Sequence, residues 1–362
     1  MKISNHGPVL NSDEIVFLLD HIFENEIFLP ISIWGPHGIG KTELVKDYCK
    51  KRKWNFAYVN LGQFEEIGDL HGIPIVSSSS NDPSIKVLKY ISPDWVPVTP
   101  GPGVLLLDDF NRADDRILRC IMELFTTGGL FSWKLPPGWK IVCTANPDNG
   151  EYLVTILDNA LLTRLLNCSM EFNPKNWAVW ASENGIDRRG IDFVLTYPEI
   201  FTGKKTTARS LVQFFKLISS IPDLKKEIGK VGILAAGLLD DTTVSSFLSF
   251  VKDDLDLISI PEILEAKHET EFSILKTLKG EDGHIRVDKI SILIDRLITF
   301  FNAEQYKFKE IHRDNLARFI AIDGFPKDIK TRLGMEISKI TGLEARKLLK
   351  NKIIANILLA SL

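Results

Sequence analysis

The sequence predicts an α/β core in which a parallel sheet lies between helices, followed by an α-helical region. Three observations predict it. Residues Gly35-Pro36-His37-Gly38-Ile39-Gly40-Lys41-Thr42 form a glycine-rich turn between a short apolar strand pattern and a helical one. Further short apolar runs alternate with helical patterns up to residue 172, and from Pro174 onward amphipathic helical patterns stand alone.

The elements follow in order. Asn11 with Glu14 three residues on has the form of a capping box, and Ile15, Leu18, Leu19, Ile22 and Phe23 then recur at helical spacing to about Glu24. Residues 31–34 read as a buried strand, and 43–53 have helical composition. Buried strands are also expected at 57–61, 104–107 and 141–145, and in the alternation of Leu166, Cys168, Met170 and Phe172. Residues 72–103 carry a serine run and Pro93, Pro97, Pro100 and Pro102, which predicts an exposed hairpin with a mobile tip. Residues 128–138 place Gly and Pro turns around Leu130, Phe131 and Trp133, and predict a second hairpin; ordinary surface connections are the alternative for both. Beyond 174, Val287, Ile290, Ile294, Leu297 and Phe301 make one apolar stripe. Residues 343–359 make another, with Arg346, Lys347, Lys350 and Lys352 as a solvated polar face.

Composition bounds the function. At 362 residues with 44% hydrophobic side chains, the chain is long enough for a nucleotide-binding core and one or two smaller domains. Its 44 basic and 47 acidic residues nearly cancel, so no global field draws in nucleic acid or an anionic membrane. Cys49, Cys120, Cys143 and Cys168 form no CxxC pair, which suggests neither zinc nor a disulfide framework and fits a reducing compartment. The first eight residues lack an apolar h-region, and no stretch approaches ~18 uninterrupted apolar residues. A soluble, cytoplasmic protein is expected. The histidines outside the glycine turn are scattered, and no metal other than Mg²⁺ is indicated.

The turn Gly35 to Thr42 fits the chemistry of a phosphate cradle. Its glycines let backbone N–H groups close around phosphates, and the helix N-terminus adds its positive end. Lys41 would reach the β and γ phosphates of ATP, and Thr42 would offer a hydroxyl to Mg²⁺. The run Val104-Leu105-Leu106-Leu107-Asp108-Asp109 supplies a strand ending in two carboxylates. Asp108 would order the metal and Asp109 would polarise water. His37 is read as neutral, because the backbone carries the contact.

The segments that follow point to a family. Asp108-Asp109-Phe110-Asn111-Arg112-Ala113 resembles the signature of MoxR-type AAA+ ATPases and runs into a helix at 115–125 as it does there. Residues 135–147, ending Thr144-Ala145-Asn146-Pro147, are similar to that family's hairpin, fourth strand and sensor 1. Residues 157–164 resemble the segment that ends in an arginine finger, and Thr207-Ala208-Arg209-Ser210 resembles sensor 2. The resemblance covers roughly residues 1–220. It implies a P-loop AAA+ core over 1–173 with two hairpin insertions, about 72–103 and 128–140, an α-helical lid over 174–260, and a further helical region over 261–362.

It also implies roles. Asn146 would hold the attacking water or the γ-phosphate, Arg164 would project into a neighbouring subunit's nucleotide, and Arg209 would read the γ-phosphate from the lid. The protein would work as a homo-oligomeric, hexameric ring with a partner bearing a von Willebrand factor A-like domain, remodelling an unidentified client. The family usually has Glu where this chain has Asp109; Asp falls on the order of 1.5 Å short, a displacement that can slow catalysis ~10²-fold. Two other functions stay open: a nucleic-acid-dependent translocase or defence NTPase, for which Phe131, Trp133 and Lys134 are the supporting residues, and a nucleotide switch that hydrolyses slowly.

Overall fold

The computed structural model describes residues 3–253 except 5, 26, 79–83, 132, 149, 198–199 and 202–204; beyond 253 it describes 263–264, 290–291, 293–294, 297–298, 309–321, 327–339 and 352–359. The chain divides into two compact units, Met1–Phe172 and Asn173–Leu362.

The first unit is built on a seven-stranded sheet of β1 (Ile3–Ser4), β2 (Gly7–Leu10), β3 (Ile31–Trp34), β4 (Asn55–Asn60), β7 (Gly103–Asp108), β10 (Trp139–Ala145) and β11 (Leu166–Met170). Their order across the sheet is β1-β2-β11-β3-β10-β7-β4. Every neighbouring pair is parallel except β1 with β2. The central strands are apolar on both faces because both faces are covered. Val104, Leu106, Ile31, Ile33 and Val142 pack with Ile15, Leu19 and Val45 of the helices α1 (Ser12–Glu24) and α2 (Lys41–Arg52). Leu105, Leu107, Ile141 and Cys143 pack on the other face, with Ile117, Ile121 and Leu124 of α4 (Asp115–Thr127).

The capping box forms as expected: the Asn11 side chain accepts from the N–H groups of Asp13 and Glu14, and Glu14 Oε2 accepts from the Asn11 N–H at 2.8 Å. The strand expected at 57–61 begins at Asn55 and ends at Asn60, because Leu61 opens a 3-10 turn. β11 stops at Met170, short of Phe172. β2 is an addition to the sequence reading. Gly7 sits at φ 90 with its Cβ position 2.2 Å from the Asn167 carbonyl oxygen, so glycine is what allows this short strand to approach β11.

Both insertions are hairpins. β5 (Ile73–Ser78) pairs antiparallel with β6 (Lys86–Ile91), and the tip expected to be mobile, at 79–83, lies outside the described residues. A short helix α3 (Gly68–His71) leads into the first hairpin. The second hairpin pairs β8 (Gly129–Leu130) with β9 (Trp133–Lys134). A one-turn helix α5 (Asn159–Leu162) precedes β11.

The second unit is helical where described: α6 (Pro174–Glu183), α7 (Arg188–Thr196), α8 (Ala208–Ile218), α9 (Ile228–Leu238), α10 (Asp241–Asp253), then Glu310–Ala321, Lys327–Lys339 and Lys352–Leu359. Phe193, Phe214, Phe215, Phe247 and Phe250 fill its core at 4.9–6.3 Å between rings. Of the expected stripe, Ile290, Ile294 and Leu297 are buried, while Val287 and Phe301 lie outside the described residues. Arg346, Lys347 and Lys350 also lie outside them, and Lys352 is exposed.

Candidate nucleotide-binding site

Three adjacent parallel strands deliver the site. β3 ends at the glycine turn, β7 ends at Asp108, and β10 lies between them and ends at Asn146's neighbour Ala145. The register pairs Ala145 with Trp34 and Cys143 with Leu107, so Asn146 emerges beside the turn and Thr144 beside Asp108. Ligands of open parallel sheets bind at such carboxyl ends.

The turn closes through Gly38 at φ 69 and Gly40 at φ 110, and Gly40 caps α2 in the left-handed region. Lys41 is therefore the first residue of the helix, and its side chain folds back over the loop. It is 6% exposed, and its ammonium donates to the carbonyls of Gly35 (2.7 Å) and Pro36 (3.0 Å) and to Asn146 Oδ1 (3.2 Å). His37 is exposed, with its ring edge-on to Tyr152 at 5.8 Å.

The carboxylates are held from several sides. Asp108 Oδ1 accepts the hydroxyls of Thr42 (2.6 Å) and Thr144 (2.6 Å), and its Oδ2 accepts the Tyr58 hydroxyl (3.1 Å). Burial and the charge of Asp108 push the Tyr58 phenol up, which keeps it a donor at ordinary pH. Asp109 lies at φ 47, ψ 40, a left-handed conformation that Asp tolerates better than most residues. Its Oδ1 accepts from Asn146 Nδ2 at 2.8 Å, and its Oδ2 meets Arg112 Nε at 3.2 Å. One amide thus joins Lys41 to Asp109. Asn146 is itself fixed by Asn111, which is 1% exposed and exchanges two hydrogen bonds with its backbone (2.8 and 3.1 Å).

The donor set fits a magnesium nucleotide. Thr42 and Asp108 bring a hydroxyl and a carboxylate oxygen together, and Mg²⁺ is held by one or two such protein oxygens plus phosphates. The loop fits phosphate, with the Lys41 ammonium as its cation.

Arg164 follows α5, is half-buried, and bonds Thr126 Oγ1 at 3.2 Å and the Ala160 carbonyl. Arg209 is exposed in the first turn of α8, whose N-cap Thr207 forms a capping box with Ser210. Trp133 corrects an expectation: it is 7% exposed and its indole N–H donates to the Leu70 carbonyl, so it is part of the core and cannot stack on a base. Phe131 is exposed but leans on His71 at 4.0 Å.

Sequence reasoning missed Tyr58, Thr144 and the role of Asn111. Asn111 and Thr144 stood inside the motifs, but nothing in their spacing showed what they bond. It also missed His6, which lies flat on Trp34 at 3.6 Å and reaches Asp148 at 3.2 Å, two residues past Asn146.

A phosphate loop leaving a central strand of a parallel sheet, with paired acids on a strand one removed, gives this chain the fold and site of a P-loop NTPase. The polar residue Asn146 directly follows the intervening strand, and a helical unit follows the sheet in sequence. No family model matches the chain. It is 28% identical over 135 residues to the replication factor C large subunit of Ignicoccus hospitalis, which is 36% of this chain and 23% of that protein. The chain therefore spans less than a quarter of this relative's length. Solved structures of the Thermotoga maritima RuvB Holliday junction branch migration motor and of one of its point mutants are similar at 14% and 13% identity, with TM-scores of 0.37 and 0.40. Each alignment covers 73% of this chain and 76% of the other. Among the described residues, no helix is long and apolar enough to cross a membrane.

Proposed function

We propose that the chain is an AAA+ ATPase that hydrolyses Mg²⁺·ATP to drive remodelling of a client, in the manner of the MoxR type. The observation that carries this reading is the unbroken line from Lys41 through Asn146 to Asp109, with the Thr42–Asp108 pair beside it. Lys41 leaves the carbonyls of Gly35 and Pro36 to meet the β and γ phosphates. Thr42 and Asp108 would hold the Mg²⁺, which would neutralise charge on the phosphates. Asp109 orients and polarises the attacking water, and Asn146 fixes Asp109 while contacting Lys41. Arg164 acts on a neighbouring subunit's nucleotide in a hexameric ring, where an added guanidinium is worth ~10³–10⁵ in rate. Arg209 reads the γ-phosphate from the helical lid. The MoxR resemblance further suggests a partner with a von Willebrand factor A-like domain.

A nucleic-acid-dependent motor is the second reading. The name of its replication factor C relative favours it, and the burial of Trp133 removes one of the aromatic residues it needs. Turnover stimulated by DNA would select it.

The test mixes two inactive variants. Arg164→Ala lacks the transition-state cation and Lys41→Ala lacks bound ATP, so each alone should be nearly inactive. Mixed, an intact Arg164 on one chain meets an intact Lys41 on its neighbour, and phosphate release should partly recover. A chain that stays monomeric by light scattering yet hydrolyses ATP at full rate would rule out both the ring and the trans arginine.

A further inference from the structure

We propose that Thr144 is a positioning residue that ties the metal-binding carboxylate of Asp108 to the backbone turn carrying Asp109; this rests on the ATPase reading of the site. Thr144 is completely buried on β10, and its hydroxyl does two things at once. It donates its one hydrogen to Asp108 Oδ1 at 2.6 Å and accepts the Asp109 backbone N–H at 2.9 Å. A hydroxyl has a single hydrogen, so with the donor committed to Asp108 the lone pair is what remains for Asp109. Neither bond serves the β10 ladder; both end on the two acids.

Each bond has a consequence. Thr42 also donates to Asp108 Oδ1, at 2.6 Å. A hydroxyl that lends a lone pair to a metal keeps its hydrogen, so Thr42 would hold Mg²⁺ while still donating to Oδ1, and Thr144, buried behind the site, would fix that same oxygen from the β10 side. Asp109 stands at φ 47, where a residue with a side chain needs support from its surroundings. That support is the Thr144 oxygen on its N–H and the Arg112 N–H on its carbonyl, at 2.8 Å. One side chain therefore sets the metal ligand and the water-polarising group in a fixed relation.

The experiment compares Thr144→Val, which keeps the shape and loses the hydroxyl, with Thr144→Ser, which keeps the hydroxyl and loses a methyl. ATP affinity is measured by calorimetry with and without Mg²⁺, phosphate release is followed across a Mg²⁺ titration, and thermal melts confirm folding. For Thr144→Val we expect metal-free ATP affinity within about twofold of wild type. The Mg²⁺ requirement should shift upward and turnover should fall about tenfold to a hundredfold, as for a misplaced catalytic group. Thr144→Ser should retain most of both. The proposal is overturned if a folded Thr144→Val matches wild type in Mg²⁺ dependence and rate, or if Thr144→Ser is as damaged as Thr144→Val, which would assign the effect to packing. A wild type that binds no ATP refutes the ATPase reading and this inference with it. A wild type that binds without turnover removes hydrolysis alone, and the Mg²⁺-dependent gain in affinity then decides the role of Thr144.

Discussion

Replacing Asn146 by Asp changes one atom and inverts the electrostatics between the two groups the amide joins. Asn146 is 1% exposed, with its oxygen 3.2 Å from the Lys41 ammonium and its nitrogen 2.8 Å from Asp109 Oδ1. In Asn146→Asp, a carboxylate oxygen stands where the donor N–H was. At an effective dielectric of 20, two unit charges at that separation repel by about 6 kcal/mol, and the new charge gains about 5 kcal/mol from Lys41. The Coulomb terms nearly cancel, so the several kcal/mol needed to desolvate a further buried charge decides the outcome. The pair avoids that by keeping one proton between the two carboxyl groups, which restores a donor to Asp109. Saturating-ATP turnover of Asn146→Asp should therefore fall about a hundredfold at pH 8. It should recover several-fold, relative to wild type, as the pH is lowered to 6 and the shared proton is retained. Asn146→Ala, with no group to protonate, should be slow throughout. A phosphate-release assay on the three proteins between pH 6 and 8 is sufficient. Wild-type turnover of Asn146→Asp at pH 8, or a loss that is equal at every pH, would refute the reasoning.

Asp109→Glu adds about 1.5 Å of reach and should hold or raise turnover; a tenfold drop with ATP affinity unchanged would mean that the site is built around Asp. In the helical unit, burial pushes the Asp192 carboxyl up from 3.8 to about 7, opposed by Arg188 at 3.7 Å and aided by Asp187. Between these values the folded state holds a proton that the unfolded state releases, so stability falls as pH rises from about 4 to 7, by at most about 4 kcal/mol. Asp192→Asn should raise the melting temperature at pH 8 and leave it little changed at pH 4; equal melting curves at pH 8 would remove Asp192 as the cause. Gly190→Ala tests packing against propensity. Alanine is favoured in a helix by about 1 kcal/mol, but a Cβ here would lie 2.3 Å from Phe215 Cγ, whose ring is completely buried. Overpacking of about 1–3 kcal/mol should win, so a melting temperature above wild type would show that the aromatic core yields.

By itself the sequence determined the elements and the chemistry carried by contiguous runs. The capping box at Asn11, the strand–turn–helix around Lys41 and the acids at the end of an apolar strand depend on neighbours within a few residues, and local backbone preference writes those into spacing. Both hairpins were legible for the same reason, since glycine and proline mark turns by their own φ limits. Only the tertiary structure decided which side chains share an atom. β2 was invisible because a four-residue strand with Gly and Pro is made by its pairing with β11, not by propensity. Trp133 was read as available and is buried, because its indole N–H finds the Leu70 carbonyl 63 residues away. Thr144 and Tyr58 meet Asp108 across 36 and 50 residues. Those meetings are fixed by parallel register, which is set by the cores on both faces of the sheet; a slip of one residue would turn Thr144 away from the acids, and no local pattern in the chain records that register.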